Sequence, residues 1–250
     1  MPGPMRVVVT DIDGCVGRGE GLPYDPEVLR RLSELNQAAR RGGPVPAVTL
    51  CSGRAAAYVD AMMQTIAGFL PAIFENGAGL YFPEGYRFAW NPAIPNATRR
   101  TIRQIRQILE DRVVERGIGY IQPGKDLSLT FFAMPGYTLN DVGQAAMAAL
   151  DGKNLPCRVE VSVTSVGVWL DGVDKGAGLQ WLAKETGIPL SQMAGVGDAP
   201  GDIPFLKLAG FAAAPANAEP EVKAVVSYIS PQEYGLGLLD IIEQCKNWPG

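Results

Sequence analysis

The chain has 250 residues, 22 basic and 26 acidic side chains and a formal net charge of -4, with 47% hydrophobic and 19% charged residues. That length supports one large or two modest domains with a substantial core, and the acidic balance excludes the basic surface on which general nucleic-acid binding rests. The chain contains no histidine, which removes Ser-His-Asp and Cys-His nucleophiles, His-ligated zinc and His phosphorelays together.

The first apolar run, residues 7–10, stops at Asp11-Ile12-Asp13-Gly14. Side chains at i and i+2 of an extended segment point the same way, so Asp11 and Asp13 are expected to converge where the strand ends. Two carboxylates that close call for a cation or a shared proton, and Gly14 lets the backbone bend closely around the site. Asp25 and Pro26 open a helix whose stripe is Val28, Leu32 and Leu35, and Gly42-Gly43 end it. A second strand over residues 45–51 ends at Ser52-Gly53-Arg54, ahead of a helix through Ala61, Met62 and Ile66, and a third, residues 72–74, ends at Glu75-Asn76-Gly77.

The character changes after about Tyr81. Residues 82–95, rich in Pro, Gly and aromatics, read as a hairpin or crossing linker. A helix with Ile102, Ile105, Leu109 and Val113 on one face follows, then strands near 118–121 and 127–134. The order repeats with a helix over 139–150 and strands at 158–163 and 166–170. Twice-repeated helix-strand-strand suits an antiparallel sheet covered by helices on one face, so residues 82–170 are expected to form an inserted domain. The parallel pattern then resumes: Asp174 caps a helix carrying Lys175, a strand at 193–196 ends at Gly197-Asp198-Ala199-Pro200-Gly201-Asp202, and further strands are expected at 210–214 and 225–229 before a last helix at 236–244. The fold class is therefore α/β, a Rossmann-like parallel-sheet core over residues 1–81 and 171–250 with an α+β insert.

Polar residues thus collect after the ends of separate strands, where open α/β sheets bind ligands. Each segment alone has a plainer reading: the DxD as a turn, Ser52-Gly53 as a helix cap, Lys175 as an exposed helix lysine, GDxxxD as a loop. Their joint order carries the argument. No stretch approaches about 20 apolar residues and no basic-apolar signal sequence opens the chain, so a cytoplasmic protein with no membrane partner is expected. Cys15, Cys51, Cys157 and Cys245 are scattered without CxxC pairing, as reduced thiols are.

These four ordered segments resemble the haloacid dehalogenase superfamily of phosphohydrolases, and 217–223 with 228–230 resemble the C-terminal part of its Cof-type members. The insert lies between the second and third motifs and is similar to the short C2B-type cap, which brings the sucrose-phosphate phosphatase and archaeal-type phosphoglycolate phosphatase group nearest. The resemblance implies Asp11 as nucleophile forming an aspartyl-phosphate, and Asp13 as general acid and then base, its pKa raised by Asp11. It implies Mg²⁺ on Asp11, Asp13 (through its backbone carbonyl), Asp198 and Asp202, Lys175 neutralising charge, and Ser52 with Gly53 holding a phosphoryl oxygen. Arg54 and Asn76 are candidates for substrate contact, Arg54 equally for loop support. Lys125 reaches toward substrate or is an exposed turn lysine, and Arg99, Arg100, Arg103 and Arg106 read as a solvated face. Two departures from the family pattern stand out: Gly201 replaces a frequent Asn, with loss of a side-chain contact, and Cys15 a commoner Thr. The implied partner is a small phosphorylated metabolite, a sugar phosphate or phosphoglycolate. Alternatives are a phosphomutase of the same superfamily and a non-enzymatic phosphoacceptor or binding protein; oligomeric state is not legible.

Overall fold

The computed structural model describes residues 4–162 and 164–246. In chain order the elements are β1 (Val7–Thr10), α1 (Pro26–Arg40), β2 (Ala47–Leu50), α2 (Ala56–Thr65), β3 (Ala72–Phe74), β4 (Gly79–Phe82), β5 (Arg87–Trp90) and α3 (Asn96–Leu109). Next come β6 (Gly119–Ile121), β7 (Ser128–Ala133), α4 (Leu139–Leu150), β8 (Cys157–Val161), β9 (Val166–Leu170) and α5 (Lys175–Thr186). β10 (Met193–Val196), α6 (Ile203–Leu206), β11 (Phe211–Ala214), α7 (Pro220–Lys223), β12 (Tyr228–Ile229) and α8 (Tyr234–Lys246) complete the order. Contacts divide the chain into two units, one running through Asn91 and resuming at Asp174, the other Pro92–Val173.

The larger unit is built on a parallel sheet of order β12-β11-β10-β1-β2. All four residues of β1, β2, β10 and β11 are buried, which is why these segments read as unbroken apolar runs: helices cover both faces. Alternation along β1 sorts them. Val8 joins Val48 and Leu50 of β2, Leu32 of α1 and Leu238, Ile241 and Ile242 of α8 in one core. Val7 and Val9 meet Leu179 and Leu182 of α5 and Phe205 of α6 in the other. Asp25 caps α1 by accepting the Glu27 N–H, with Pro26 in the first turn as expected. Buried Asn36 of α1 donates to the Ile66 carbonyl at 3.0 Å and accepts from the Val48 N–H at 2.8 Å, tying α1 to the end of α2 and to β2.

The structure moves the expected first boundary of the insert. β5 pairs with β4 in antiparallel register, Phe82 opposite Arg87 and Gly79 opposite Trp90, and the Asn91 N–H donates to the Ala78 carbonyl. The hairpin reading of this segment holds, but its strands extend the β3-β4-β5 sheet of the larger unit, so the insert begins at Pro92 rather than at 82. Sequence periodicity cannot reveal this because it follows from strand pairing. The strand expected over 225–229 shortens to Tyr228–Ile229, since Val225 is held in a turn by the Val222 carbonyl.

The smaller unit is an antiparallel sheet of order β6-β7-β9-β8 with α3 and α4. Leu129, Phe131, Val166, Val168 and Leu170 are buried strand residues, and Ile102, Ile105, Leu109, Val142 and Ala146 are the buried helix residues. Helices cover one face: at Gly119 a Cβ would meet the Val142 and Val113 side chains at 3.1 and 3.3 Å. Thr138 and Asp141 form a capping box on α4. Val163, expected in the strand at 158–163, lies outside the described residues. Two sequence readings change here. Lys125 is not an exposed turn lysine, being only 6% exposed, and Arg106 is half-buried and donates to the Lys125 carbonyl at 2.6 Å, whereas Arg100 and Arg103 are exposed as expected. Among the described residues no helix is long and apolar enough to cross a membrane.

Candidate active site

Parallel register brings three loops side by side, because Thr10 stands opposite both Val196 of β10 and Leu50 of β2. The chain beyond β1 stays in step, with the Asp11 N–H donating to the Val196 carbonyl and the Cys51 N–H to the Thr10 carbonyl. Asp11, Ser52 and Asp198 therefore emerge at one sheet edge. Lys175 reaches it from the first turn of α5, whose N-cap is Asp174 as expected, accepting the Ala177 N–H.

The centre is an ammonium between two carboxylates. Lys175 Nζ lies 2.8 Å from Asp11 Oδ2 and 2.5 Å from Asp202 Oδ1, and Asp11, Lys175 and Asp202 are all buried. Lys175 is thus no exposed helix lysine. Asp202 uses its other oxygen, Oδ2, to accept the Asp198 and Ala199 N–H groups at 2.9 and 3.1 Å. It fixes both the lysine and the loop that presents Asp198. Gly197 is required here, since a Cβ would fall 2.5 Å from Asp202 Cβ. At Gly14, in the left-handed region at φ +80°, a Cβ would stand 1.9 Å from Asp198 Oδ2, so the first loop and Asp198 pack with no room for a side chain between them.

The remaining predicted residues form a second group. Arg54 grips Asp13 with two prongs, Nε to Oδ2 at 2.7 Å and Nη2 to Oδ1 at 2.6 Å. It also lies 3.7 Å from Glu20 and 4.6 Å over the Tyr58 ring. Of the two roles open to Arg54, loop support is the one its contacts fill. Ser52 does not cap α2, where Ala55 holds the N-cap position without a side-chain bond; its Oγ accepts the Arg54 N–H at 3.2 Å, leaving its own proton to donate. Asn76, at φ 53°, donates its N–H to the Ser52 carbonyl, and its amide would lie 3.0 Å from a Cβ on Gly53. Asn76 and Gly53 thus fit against each other beneath Ser52.

Sequence reading missed three contributors. Glu20 completes the Arg54 pairing from a loop with no motif signal. Cys15 donates through Sγ to Asp198 Oδ1 at 3.6 Å; burial, then the Asp198 charge, push this thiol well above its ordinary pKa, so it stays a donor in the place a Thr hydroxyl would fill. Asn217 donates to the Gly14 carbonyl at 2.9 Å and accepts the Tyr234 N–H at 2.7 Å, fastening the first loop from the C-terminal part of the chain. At Gly201 a Cβ would meet nothing within 4 Å, so the residue missing there leaves space and no disturbed packing.

The electrostatics leave the site short of positive charge. Asp11, Asp198 and Asp202 offer oxygens that all lie within 4.8 Å of one another, against the single ammonium of Lys175. Burial first, then neighbouring carboxylates, push Asp11 up to about 7 and Asp198 up to about 8, with Lys175 opposing the shift at Asp11. Burial disfavours the Lys175 ammonium, but Asp11 and Asp202 outweigh it and hold its pKa well above the ordinary value. The raised carboxyls are thus Asp11 and Asp198, neither of which was the one expected; Asp13, named in that expectation, is paired with Arg54. An oxygen-only donor set carrying surplus negative charge fits a hard divalent cation such as Mg²⁺.

A pH dependence follows. Raised carboxyls hold protons in the folded state that the unfolded chain has released, so metal-free protein loses stability as pH rises from about 4 toward about 8. Melting temperature in EDTA is expected to fall across that window and the stabilisation by Mg²⁺ to grow with pH, because protons then compete less for the ligands. A Mg²⁺-induced shift that is the same at both ends of the window would contradict this.

Comparison with known proteins shows what the chain is similar to. A family model described as haloacid dehalogenase-like hydrolase matches residues 158–242. A phosphoglycolate phosphatase of Methanothrix thermoacetophila is 34% identical over 102 residues, covering 41% of this chain and 46% of that protein. One of Methanopyrus kandleri is 28% identical over 248 residues, covering 95% and 96%. Among solved structures, a protein of Thermoplasma acidophilum superposes with TM-score 0.74 at 20% identity, covering 98% of this chain and 99% of that one. The sucrose-phosphatase of Synechocystis sp. PCC6803, solved with sucrose and phosphate, has TM-score 0.66 at 18% identity and covers 97% and 98%.

Proposed function

We propose, from the premise that this chain is a haloacid dehalogenase-like hydrolase and a phosphatase, that it is a Mg²⁺-dependent phosphomonoesterase working through an aspartyl-phosphate on Asp11. The observation that carries this reading is Lys175 bridging Asp11 and Asp202 beside Asp198 at the ends of β1 and β10. Asp11 Oδ1 accepts the Ile12 N–H at 2.7 Å and Oδ2 faces Lys175, so the nucleophile is oriented before substrate arrives. In-line attack on phosphorus forms the aspartyl ester and breaks the bond to the leaving oxygen, which takes a proton from Asp13; water, deprotonated by Asp13, then releases phosphate and restores Asp11. In the free protein Arg54 holds both Asp13 oxygens, so Asp13 takes up the proton that it delivers on an oxygen that Arg54 has released. Ser52 donates to a phosphoryl oxygen, and Lys175 offsets charge on nucleophile and phosphate.

Asp11, Asp198 and the Asp13 backbone carbonyl are the groups suited to hold Mg²⁺, which supplies charge neutralisation when bound. Asp202, with both oxygens engaged, orients Lys175 and Asp198 as much as it ligates. The unit Pro92–Val173 is taken as the substrate-selecting cap. Relatives named phosphoglycolate phosphatase that align along nearly the whole chain favour 2-phosphoglycolate as the first substrate to test, with sugar phosphates next. Purified protein with Mg²⁺ is expected to release phosphate from members of such a panel and to stop when EDTA removes the metal. No release from any member, or release indifferent to EDTA, would overturn the reading.

A further inference from the structure

The face of the smaller sheet turned away from its helices carries a polar patch beside the stacked Tyr120 and Phe132 rings. Thr130 stands opposite Gly167 and Ser128 opposite Trp169, while the Gln122 N–H donates to the Thr130 carbonyl. Cross-strand partners share a face, so Gln122, Ser128, Thr130, Gly167 and Trp169 lie together. Gly167 is what lets the indole settle: a Cβ there would be 2.3 Å from Trp169 Cζ2 and 2.7 Å from Nε1. Into this patch comes Lys125, its Nζ donating to Thr130 Oγ1 at 2.7 Å and lying 5.9 Å from the Trp169 ring centroid. The turn carrying it is pinned by Arg106 on the Lys125 carbonyl.

Two atoms here are buried without a protein partner, the Trp169 Nε1 donor and the Gln122 Oε1 acceptor. Leaving a buried donor or acceptor unsatisfied is costly, and native proteins complete such groups with an ordered water, an ion or a bound ligand. An N–H donor beside an ammonium suits a carboxylate, and an acceptor on the same face suits a hydroxyl.

We infer that Lys125, Trp169 and Gln122 form a binding site for a hydroxycarboxylate within the smaller unit. Lys125 and Trp169 Nε1 take the carboxylate and Gln122 Oε1 a hydroxyl. Glycolate is the smallest acid of this class and glycerate the next.

The test pairs molecules that differ only by carboxylate against CH₂OH. In the full chain, the Trp169 indole N–H signal, identified by its loss in Trp169→Phe, is expected to shift saturably with glycerate and not with glycerol. In Lys125→Met the glycerate concentration that gives half of the full shift is expected to rise about tenfold or more. An indole signal unmoved by glycerate, or moved equally by glycerol, overturns the site, and so does an unchanged glycerate response in folded Lys125→Met.

Discussion

Asp11→Asn is expected to abolish turnover, with phosphate release falling at least about 10⁴-fold, on the scale seen when a covalent nucleophile is removed. The replacement is nearly isosteric, so the volume is kept, but the amide oxygen can accept from either the Ile12 N–H or the Lys175 ammonium and not from both, so one of the two contacts is given up. What is lost is the carboxylate that forms the ester. The same change removes one of three close carboxylates, so metal-free Asp11→Asn is expected to melt no lower than the parent near pH 8. Rate and stability then move in opposite directions. Measured together by phosphate release and calorimetry, they separate a missing nucleophile from a damaged fold. A rate within a few-fold of the parent would sink the assignment of Asp11.

Lys175→Met is expected to damage both properties. The ammonium is 5% exposed and is shared by Asp11 and Asp202, and removing one partner of a buried ion pair leaves uncompensated charge worth roughly 3–5 kcal/mol. Asp202 is the more consequential survivor, since it also holds the Asp198 and Ala199 N–H groups. The loss carries a sign with pH. Without the lysine, nothing opposes the burial that already lifts Asp11 to about 7, so the carboxyls take up protons and the penalty shrinks as pH falls. Denaturant unfolding of parent and variant without metal is therefore expected to show a larger difference at about pH 8.5 than at about pH 6. Equal differences at the two pH values would place the cost of the substitution in packing instead.

Much of this arrangement was legible because local chemistry wrote it. Asp25-Pro26 and Asp174 signal helix starts at short range, and the strand ends at Asp11, Ser52 and Asp198 mark the edge where a parallel sheet binds ligands. What was not legible depended on pairing between distant segments. The 79–90 hairpin could not be assigned to the larger unit without knowing that β5 lies against β4. Arg54 carried two roles until its guanidinium was seen on Asp13, and Glu20 had no pattern to announce it. Lys125 looked like a turn residue because its neighbours Gly124 and Asp126 are turn formers; its burial comes from Thr130 and Trp169, which lie farther along the chain. Asn217 sat in a segment noted only for resemblance, while its contact with Gly14 spans 203 positions.

The close fit of Gly14 against Asp198 has a consequence for how the protein is made. β1 is synthesised before the other strands of its sheet, yet its central place puts β10 on one side of it, and the loop beyond it is completed by Asp198 and Asn217. Contacts of such sequence separation form slowly and late, and on a ribosome they wait for the C-terminal part of the chain to emerge. Until then the nascent chain has its DxD loop but nothing to seat it against. Assembly of the site is thereby deferred until the strand and loop that flank β1 have been synthesised.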